Sequence, residues 1–177
     1  MKEIRINLTA ENTFLEKLFA GDKVLITGII YTARDRAHQL LIELLKNNKP
    51  LPFQLTNSII YYTGPVLDRE TGLFSSAGPT TSSRMDVLTP PLLEAGVKGF
   101  IGKGARSNSV RNLLVNYQAV YFSTVGGAGV FLAQRIKAMK IIAFPELHSE
   151  AIYELQVEDF PCYVTIDSKG NSLYKQC

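Results

Sequence analysis

The chain has 177 residues, of which 46% are hydrophobic and 20% are charged, and this balance is typical of a globular domain with a sizeable core. The net charge of +3 is small and the basic residues are dispersed, which argues against a nucleic-acid-binding protein. The sequence shows neither an apolar core of signal-peptide length nor the ~20 apolar residues of a membrane span, so we expect a cytoplasmic protein without a nucleic-acid or membrane partner.

Hydrophobic periodicity predicts alternating strands and helices in the first half of the chain. Strands are expected over residues 4–8, 23–31 and 58–62, and helices over residues 11–20 and 35–46. On the second helix the pattern places five residues on the buried side: Ala37, Leu40, Leu41, Leu44 and Leu45. Residues 68–72 have the composition of a polar hairpin turn.

The second half continues the alternation and then becomes rich in strands. Helices are expected over residues 87–95, from the cap residues 106–109 to residue 115, and from the glycine-rich residues 126–129 to residue 139. Strands are expected over residues 98–101, 119–125 and most of 142–174. This order predicts an α/β domain with mixed sheets.

The stretch GPTTSSRMD, residues 78–86, combines a turn, four hydroxyl groups and an arginine where a strand is expected to pass into a helix. Residues 80–83 are candidate N-caps, and a helix N-terminus attracts anions through its free N–H groups. Arg84 adds a planar fork that suits a carboxylate. An ordinary helix cap beside a surface arginine would use the same residues, so this stretch alone does not decide between the two.

Three other strand-to-helix junctions carry cations or glycines, namely Arg34, Lys103 and the glycines at 126 and 127. Because strand ends of this kind gather at one edge of an open α/β sheet, the junctions together predict a site for a small polyanion. Each cation can also have a purely structural role, since Arg34 can pair with Asp35 or Asp86 and Lys103 can lie in a surface turn.

Two further basic residues are weaker candidates. His38 lies four residues after Arg34 and would share its helix face, although a histidine in such a place is usually packed or solvated. Arg106 is expected to be structural or exposed.

The sequence lacks the motifs of several enzyme classes. It has no GxSxG elbow, and its glycine-rich segment has neither the dinucleotide nor the phosphate-loop spacing. Two cysteines, Cys162 and Cys177, are too few to hold a zinc ion or an iron–sulfur cluster alone. Any metal centre would therefore take ligands from another chain, and residue patterns alone indicate only an anion-binding site.

Several segments together resemble the β subunit, or C-terminal domain, of class I fumarate hydratases, the iron–sulfur-dependent fumarate/tartrate hydro-lyases. In chain order they are GDKVLITGIIYTARDRAH, IIYYTGP, GPTTSSRMD, GFIGKGARS, AVYFSTVGGAG and VEDFPCYVTIDSKGNSLY. The resemblance covers residues 21–174 and implies that residues 1–177 form one domain. It also implies a three-layer β/β/α swivelling-domain-like fold with mixed sheets.

The resemblance implies an enzyme of the tricarboxylic acid cycle that hydrates fumarate reversibly to L-malate, with a fumarate hydratase α subunit as partner. That partner would hold a 4Fe-4S cluster, and this chain would bind no metal. By motif, Thr80 matches the threonine proposed as catalytic base and Lys103 a lysine close to the reacting centre. Arg34 and Arg84 match arginines that hold the substrate carboxylates. The other residues predicted to bind substrate are Thr81, His38, Gly126 and Gly127.

Two other functions remain open from the sequence. In the β subunit of an L-tartrate dehydratase we expect a cysteine in place of Ala33, so TARD, RMD and GKGARS favour fumarate. Alternatively, the chain is an anion-binding module without a catalytic partner. If an α subunit does cover one face of this chain, that face is exposed when the chain is isolated and is expected to favour homodimers.

Overall fold

The computed structural model describes residues 3–8, 13–68, 70–72 and 74–174. Strands and helices alternate along the chain in this order: β1 (Glu3–Asn7), β2 (Lys23–Thr32), α1 (Asp35–Lys46), β3 (Ile59–Tyr61), β4 (Val66–Leu67), β5 (Phe74–Ser76), α2 (Thr89–Glu94), β6 (Gly99–Gly102), α3 (Asn108–Asn116), β7 (Val120–Ser123), α4 (Gly129–Ala133), β8 (Ile136–Ala143) and β9 (Ile152–Ile166). Segments of 3₁₀ helix occupy Thr13–Lys17, Ser82–Leu88 and Pro145–Glu150. No helix in the described part of the chain is long and apolar enough to cross a membrane.

The main sheet has seven strands in the order β1-β2-β3-β6-β7-β9-β8, and β2 also pairs with β9. Strands β1, β2, β3, β6 and β7 run parallel, whereas β9 is antiparallel to β2, β7 and β8. Because β9 pairs with both β7 and β2, these strands close a circuit through β3 and β6. The α/β class with mixed pairing agrees with the sequence prediction.

Successive residues of β3 face two different cores, as the two-residue period of a strand requires. Ile59 and Tyr61 belong to a core shared with β1, β2 and β9, and Ile60 belongs to a second core shared with α1, α2 and α3. All three side chains are buried. The short central strands are therefore covered on both faces, and polar residues that follow them are confined to the strand ends.

The parallel strands bring their carboxyl ends to one edge of the sheet. Thr32 of β2 pairs with Tyr61 of β3, Tyr61 with Ile101 of β6, and Ile101 with Phe122 of β7. The segments that begin at residues 33, 62, 103 and 124 consequently start side by side. This register positions the candidate site.

One predicted helix is largely wrong. Helix α4 ends at Ala133, and Ile136–Ala143 forms strand β8 instead of continuing a helix to residue 139. Strand β8 pairs antiparallel with β9, and Ile136 and Met139 pack against the first core. Pairing with β9, which lies far along the chain, outweighs the local helical pattern.

Smaller differences concern the other ends of elements. A helix was predicted over residues 11–20, but the structure has a 3₁₀ turn at Thr13–Lys17. Phe19, predicted on the apolar face, is 51% exposed. Residues 9–12 and the Phe14 side chain lie outside the described part. Helix α1 buries Ala37, His38, Leu41 and Ile42. Three of the five residues predicted on its buried side are therefore only partly buried, namely Leu40, Leu44 and Leu45.

Candidate active site

Thr80 and Lys103 are held together by backbone hydrogen bonds at the carboxyl edge of the sheet. The Thr80 amide donates to Tyr62 O (2.7 Å), the Lys103 amide to Thr80 O (3.2 Å), and the Ser82 amide to Lys103 O (3.0 Å). Thr81 thereby forms a parallel bridge with Lys103, and its side chain is exposed. The segment after β5 thus extends the sheet beside the end of β6.

Arg84 connects Thr80 to the start of α1. Its Nη2 donates to Thr80 Oγ1 at 2.9 Å and to Asp35 Oδ2 at 3.2 Å. The Arg84 side chain is 48% exposed, so its guanidinium remains accessible from solvent. A cation therefore contacts the hydroxyl that the sequence singles out.

Arg34 lies against the backbone of Gly64, just beyond the end of β3. A Cβ atom at Gly64 would overlap Arg34 Nη1 and lie 3.2 Å from Cδ and Cζ. Arg34 Nη2 is 3.8 Å from Glu150 Oε1, and Arg34 Nε is buried without a partner among the described residues. The absence of a side chain at Gly64 is what makes room for this arginine.

The glycine-rich segment after β7 reaches the same edge. The Thr124 amide donates to Gly102 O (3.0 Å), and a Cβ at Gly126 would lie 3.8 Å from Lys103 Cδ. Gly127 is exposed and has a φ of +83°. The structure therefore brings Gly126 beside the exposed Lys103, which forms no ion pair with any residue that the structure describes.

The predicted position of the helix cap is confirmed, but the helix type and the cap hydrogen bond differ. Thr81 occupies the N-cap position of a seven-residue 3₁₀ turn, Ser82–Leu88, and its side chain makes no cap hydrogen bond. The Ser82 hydroxyl instead lies 2.9 Å from the Tyr121 hydroxyl. The Ser82 amide binds Lys103 O and is therefore not free for an anion, so we assign the positive charge of the site to its side-chain cations.

His38 lies beneath the site and not on its surface. Its side chain is fully buried, its Nδ1 is 2.9 Å from Arg34 O, and its ring meets the edge of the Tyr62 ring. Nε2 has no partner among the described residues. This geometry gives no support to a direct contact between His38 and a substrate, and His38 instead orients the backbone that carries Arg34.

Burial lowers the pKa of His38 from 6.5 to about 4, against the opposing effect of its hydrogen bond to Arg34 O. The unfolded chain therefore binds one more proton than the folded chain between these values. We expect the free energy of unfolding to fall as the pH drops from 6.5 to 4, by about 3 kcal/mol at about 1.4 kcal/mol per pH unit.

Chemical denaturation at pH 7 and pH 4.5 measures this effect. His38→Gln removes the buried titrating group, so its unfolding free energy is expected to depend less on pH than that of the wild type. His148→Gln, at the exposed histidine, keeps the buried group and the full dependence. Equal pH dependence in the wild type and His38→Gln would show that His38 is not responsible.

Three residues that shape the site were not predicted from the sequence to belong to it. Glu150 faces Arg34 and accepts a hydrogen bond from the Arg36 amide (3.0 Å) in the first turn of α1. Arg106, expected to be structural or exposed, is buried, and Tyr121 lies beside it. Each acts across a long sequence separation, which no local pattern reveals.

The described residues do not form a metal centre. Across residues 3–8, 13–68, 70–72 and 74–174, no group of three or more His, Cys, Asp or Glu side chains could hold a metal ion. Cys162 is buried in the first core, where burial raises the pKa of its thiol, and Cys177 lies outside the described residues. These residues therefore do not fit an iron–sulfur cluster held by this part of the chain.

Comparison with known proteins agrees with the resemblance in the sequence. The chain is 39% identical over 168 residues to a Methanocaldococcus jannaschii protein provisionally named L(+)-tartrate dehydratase subunit beta, covering 92% of this chain and 86% of that one. It is 37% identical to fumarate hydratase 2 of Leishmania major and to the aerobic class I fumarate hydratase of Escherichia coli K12. These alignments cover 88% and 85% of this chain but only 28% of each relative. A family model described as Fumarase C-terminus matches residues 1–177, and the chain therefore belongs to that family.

Proposed function

We propose that this chain is the β subunit of a two-subunit hydro-lyase that hydrates fumarate reversibly to L-malate. The observation that carries the proposal is the placement of Thr80, Arg84, Lys103 and Arg34 around one edge of the sheet, in a chain of this family. We further propose that residues 1–177 form one swivelling β/β/α domain and act in the cytoplasm with a fumarate hydratase α subunit.

In this proposal Arg34 and Arg84 bind the two carboxylates of the substrate. Each guanidinium now lies near a single carboxylate, Glu150 at 3.8 Å and Asp35 at 3.2 Å, and both arginines are partly exposed. Exposed ion pairs of this kind stabilise little, so a substrate carboxylate can replace or join them at small cost. Arginine also offers a fork that binds a carboxylate through two hydrogen bonds.

Thr80 accepts the proton in malate dehydration. A threonine hydroxyl is a weak base, but the hydrogen bond from Arg84 Nη2 and the nearby Lys103 favour its alkoxide over its neutral form. The proton moves from the carbon next to a carboxylate to the Thr80 alkoxide, the electron pair forms the carbon–carbon double bond, and the bond to the hydroxyl group breaks. The departing hydroxide takes a proton from solvent to become water, and Thr80 returns its proton to solvent, so the net products are fumarate and one water. Hydration is the reverse of these steps.

The arginines also lower the barrier to this proton transfer. Negative charge accumulates on the carboxylate beside the carbon that loses its proton, and fixed cations stabilise that charge more in the transition state than in the ground state. The 4Fe-4S cluster that the resemblance implies belongs, in this proposal, to the α subunit. We therefore assign this chain only substrate binding and proton transfer.

Two alternatives are kept. The relatives named for tartrate and for fumarate match at similar identities, 39% and 37%, so identity alone does not select the substrate. Ala33, buried next to Arg34, favours fumarate because the tartrate branch is expected to have a cysteine there. The chain would be a stand-alone anion-binding module if no α subunit assembles with it.

The deciding experiment co-expresses the chain with its candidate α subunit under anaerobic conditions. The purified pair is then assayed with fumarate, L-malate and L(+)-tartrate. We expect turnover of fumarate and L-malate by the pair and none by the isolated, colourless chain. Turnover of tartrate alone would show that the chain is the β subunit of a tartrate dehydratase. Full hydratase activity of the isolated chain would contradict the proposal that the active site needs the α subunit.

A further inference from the structure

Arg106 is a buried cation directly beneath the candidate site. Its side chain is 0% exposed, and its Nε donates to Asp86 Oδ1 at 2.6 Å while its Nη2 donates to Thr89 Oγ1 at 2.6 Å. The guanidinium carbon lies 5.1–5.9 Å from the centres of three aromatic rings, those of Tyr62, Phe100 and Tyr121. Hydrogen bonds and ring contacts therefore hold the side chain in place.

These contacts join the two segments that carry the candidate catalytic residues. Arg106 follows Lys103 in the segment after β6, whereas Asp86 and Thr89 follow Thr80 and Arg84 in the segment that contains the 3₁₀ turn. Asp86 strengthens the connection, because its second oxygen accepts a hydrogen bond from the Ser107 amide at 2.8 Å.

Tyr121 of β7 makes a second connection between the same segments. Its hydroxyl lies 2.9 Å from Ser82 Oγ, two residues after the candidate base, and 2.8 Å from the backbone oxygen of Gly104, next to Lys103. The rings of Tyr121 and Tyr62 form part of the surface against which Arg106 packs. Arg106 and Tyr121 thus hold one pair of segments from two sides.

A buried ion pair is not explained by stability alone. Removing both charges from water costs free energy that their attraction often fails to recover, and apolar side chains of similar volume can stabilise a fold equally well. What apolar side chains lack is the directional set of hydrogen bonds that Arg106 makes to Asp86 and Thr89. The arrangement therefore fits a role in fixing geometry.

We propose that Arg106 is a positioning residue that fixes Lys103 relative to Thr80 and Arg84 without touching the substrate. This inference rests on the proposed function for its effect on turnover. Displacing a catalytic group by ~1 Å can lower a rate about 100-fold, so loss of the connection should act mainly on the chemical step. Arg34 lies on neither segment, and Arg84 keeps its own hydrogen bonds to Thr80 and Asp35, so substrate affinity should change less than kcat.

The first test is Arg106→Met in the complex with the α subunit. We expect kcat for L-malate to fall about 30- to 100-fold, with KM changed less than about threefold. Arg106→Lys restores the charge but not both hydrogen bonds, so it should recover only part of the rate. Arg5→Met is the matched control, because it removes an ion pair of the same length, 2.6 Å to Asp159, from a side chain that is 66% exposed.

A second measurement does not depend on activity. In the isolated chain, amide hydrogen exchange at Ser82 and Lys103, whose N–H groups join the two segments, should be about tenfold faster in Arg106→Met. Exchange along the β2–β9 pairing should stay unchanged. If Arg106→Met fails to fold, Tyr121→Phe breaks the second connection and should have the same effects to a smaller degree.

The outcomes separate this inference from the proposed function. If exchange at Ser82 and Lys103 is faster in the isolated Arg106→Met chain but the wild-type complex has no hydratase activity, the positioning role is kept and the proposed function is overturned. Wild-type kcat and unchanged exchange in a folded Arg106→Met protein would overturn the inference even if the wild type is a fumarate hydratase. Where only Tyr121→Phe folds, unchanged exchange at the two amides would likewise overturn the inference.

Discussion

Thr80→Ala in the α/β complex is expected to lower kcat for L-malate dehydration and fumarate hydration by about 10²- to 10⁴-fold, the contribution of a positioned general base. The substitution removes Thr80 Oγ1, the proposed proton acceptor, which also accepts the hydrogen bond from Arg84 Nη2. It leaves the backbone hydrogen bonds of residue 80 to Tyr62 and Lys103 in place. KM should change little, because Arg34 and Arg84 still bind the carboxylates.

Two variants make this result specific to the Thr80 hydroxyl. Thr80→Ser keeps the oxygen and should retain much of the activity. Ser83→Ala removes a neighbouring exposed hydroxyl from the same stretch and should behave as the wild type. Near-normal turnover by Thr80→Ala in the assembled complex would exclude Thr80 as the base, and steady-state kinetics in both directions measures all three variants.

The meeting of Arg34, Lys103 and Gly126 was predictable because it depends on topology and not on side-chain detail. Thr80 and Arg84 follow β5 of the separate two-stranded sheet instead, and the backbone hydrogen bonds of Thr80 to Tyr62 and Lys103 bring them to the same edge. Parallel strands that alternate with helices must end at a common edge, so cations placed directly after those strands must come together. The observed pairing of Tyr61 with Thr32 and Ile101 realises this rule. Any sequence with the same order of elements and cations would give the same prediction.

Residues that act across the core could not be predicted in the same way. His38 faces the helix-side core because α1 is rotated relative to its apolar pattern, and Arg106 is buried because Asp86 and three aromatic rings surround it. Likewise, residues 136–143 form a strand only because β9 offers a free edge. These outcomes depend on partners that are distant in sequence, whereas periodicity reports only on neighbours.

Gly64 shows how one position without a side chain fixes the place of the Arg34 guanidinium, a proposed ligand of a substrate carboxylate. The sequence pattern places it only in the turn that ends β3, together with Pro65. In the structure its Cα faces the Arg34 side chain, and any Cβ there would overlap Nη1. Since Arg34 is 26% exposed, its end can move toward solvent, so a methyl group at Gly64 would displace the guanidinium without removing its charge.

Gly64→Ala is therefore expected to weaken substrate binding almost as much as Arg34→Ala does. Loss of a charge-assisted hydrogen bond costs about 1.5–3 kcal/mol, which is about a 10- to 150-fold fall in kcat/KM for L-malate. Gly78→Ala is the matched control, because a Cβ there meets only Gly129 Cα at an ordinary 3.7 Å. In the Arg34→Ala background, Gly64→Ala should cost nothing further, since both changes remove the same contact. Independent, additive losses in this double-mutant cycle would show that Gly64 acts by another route.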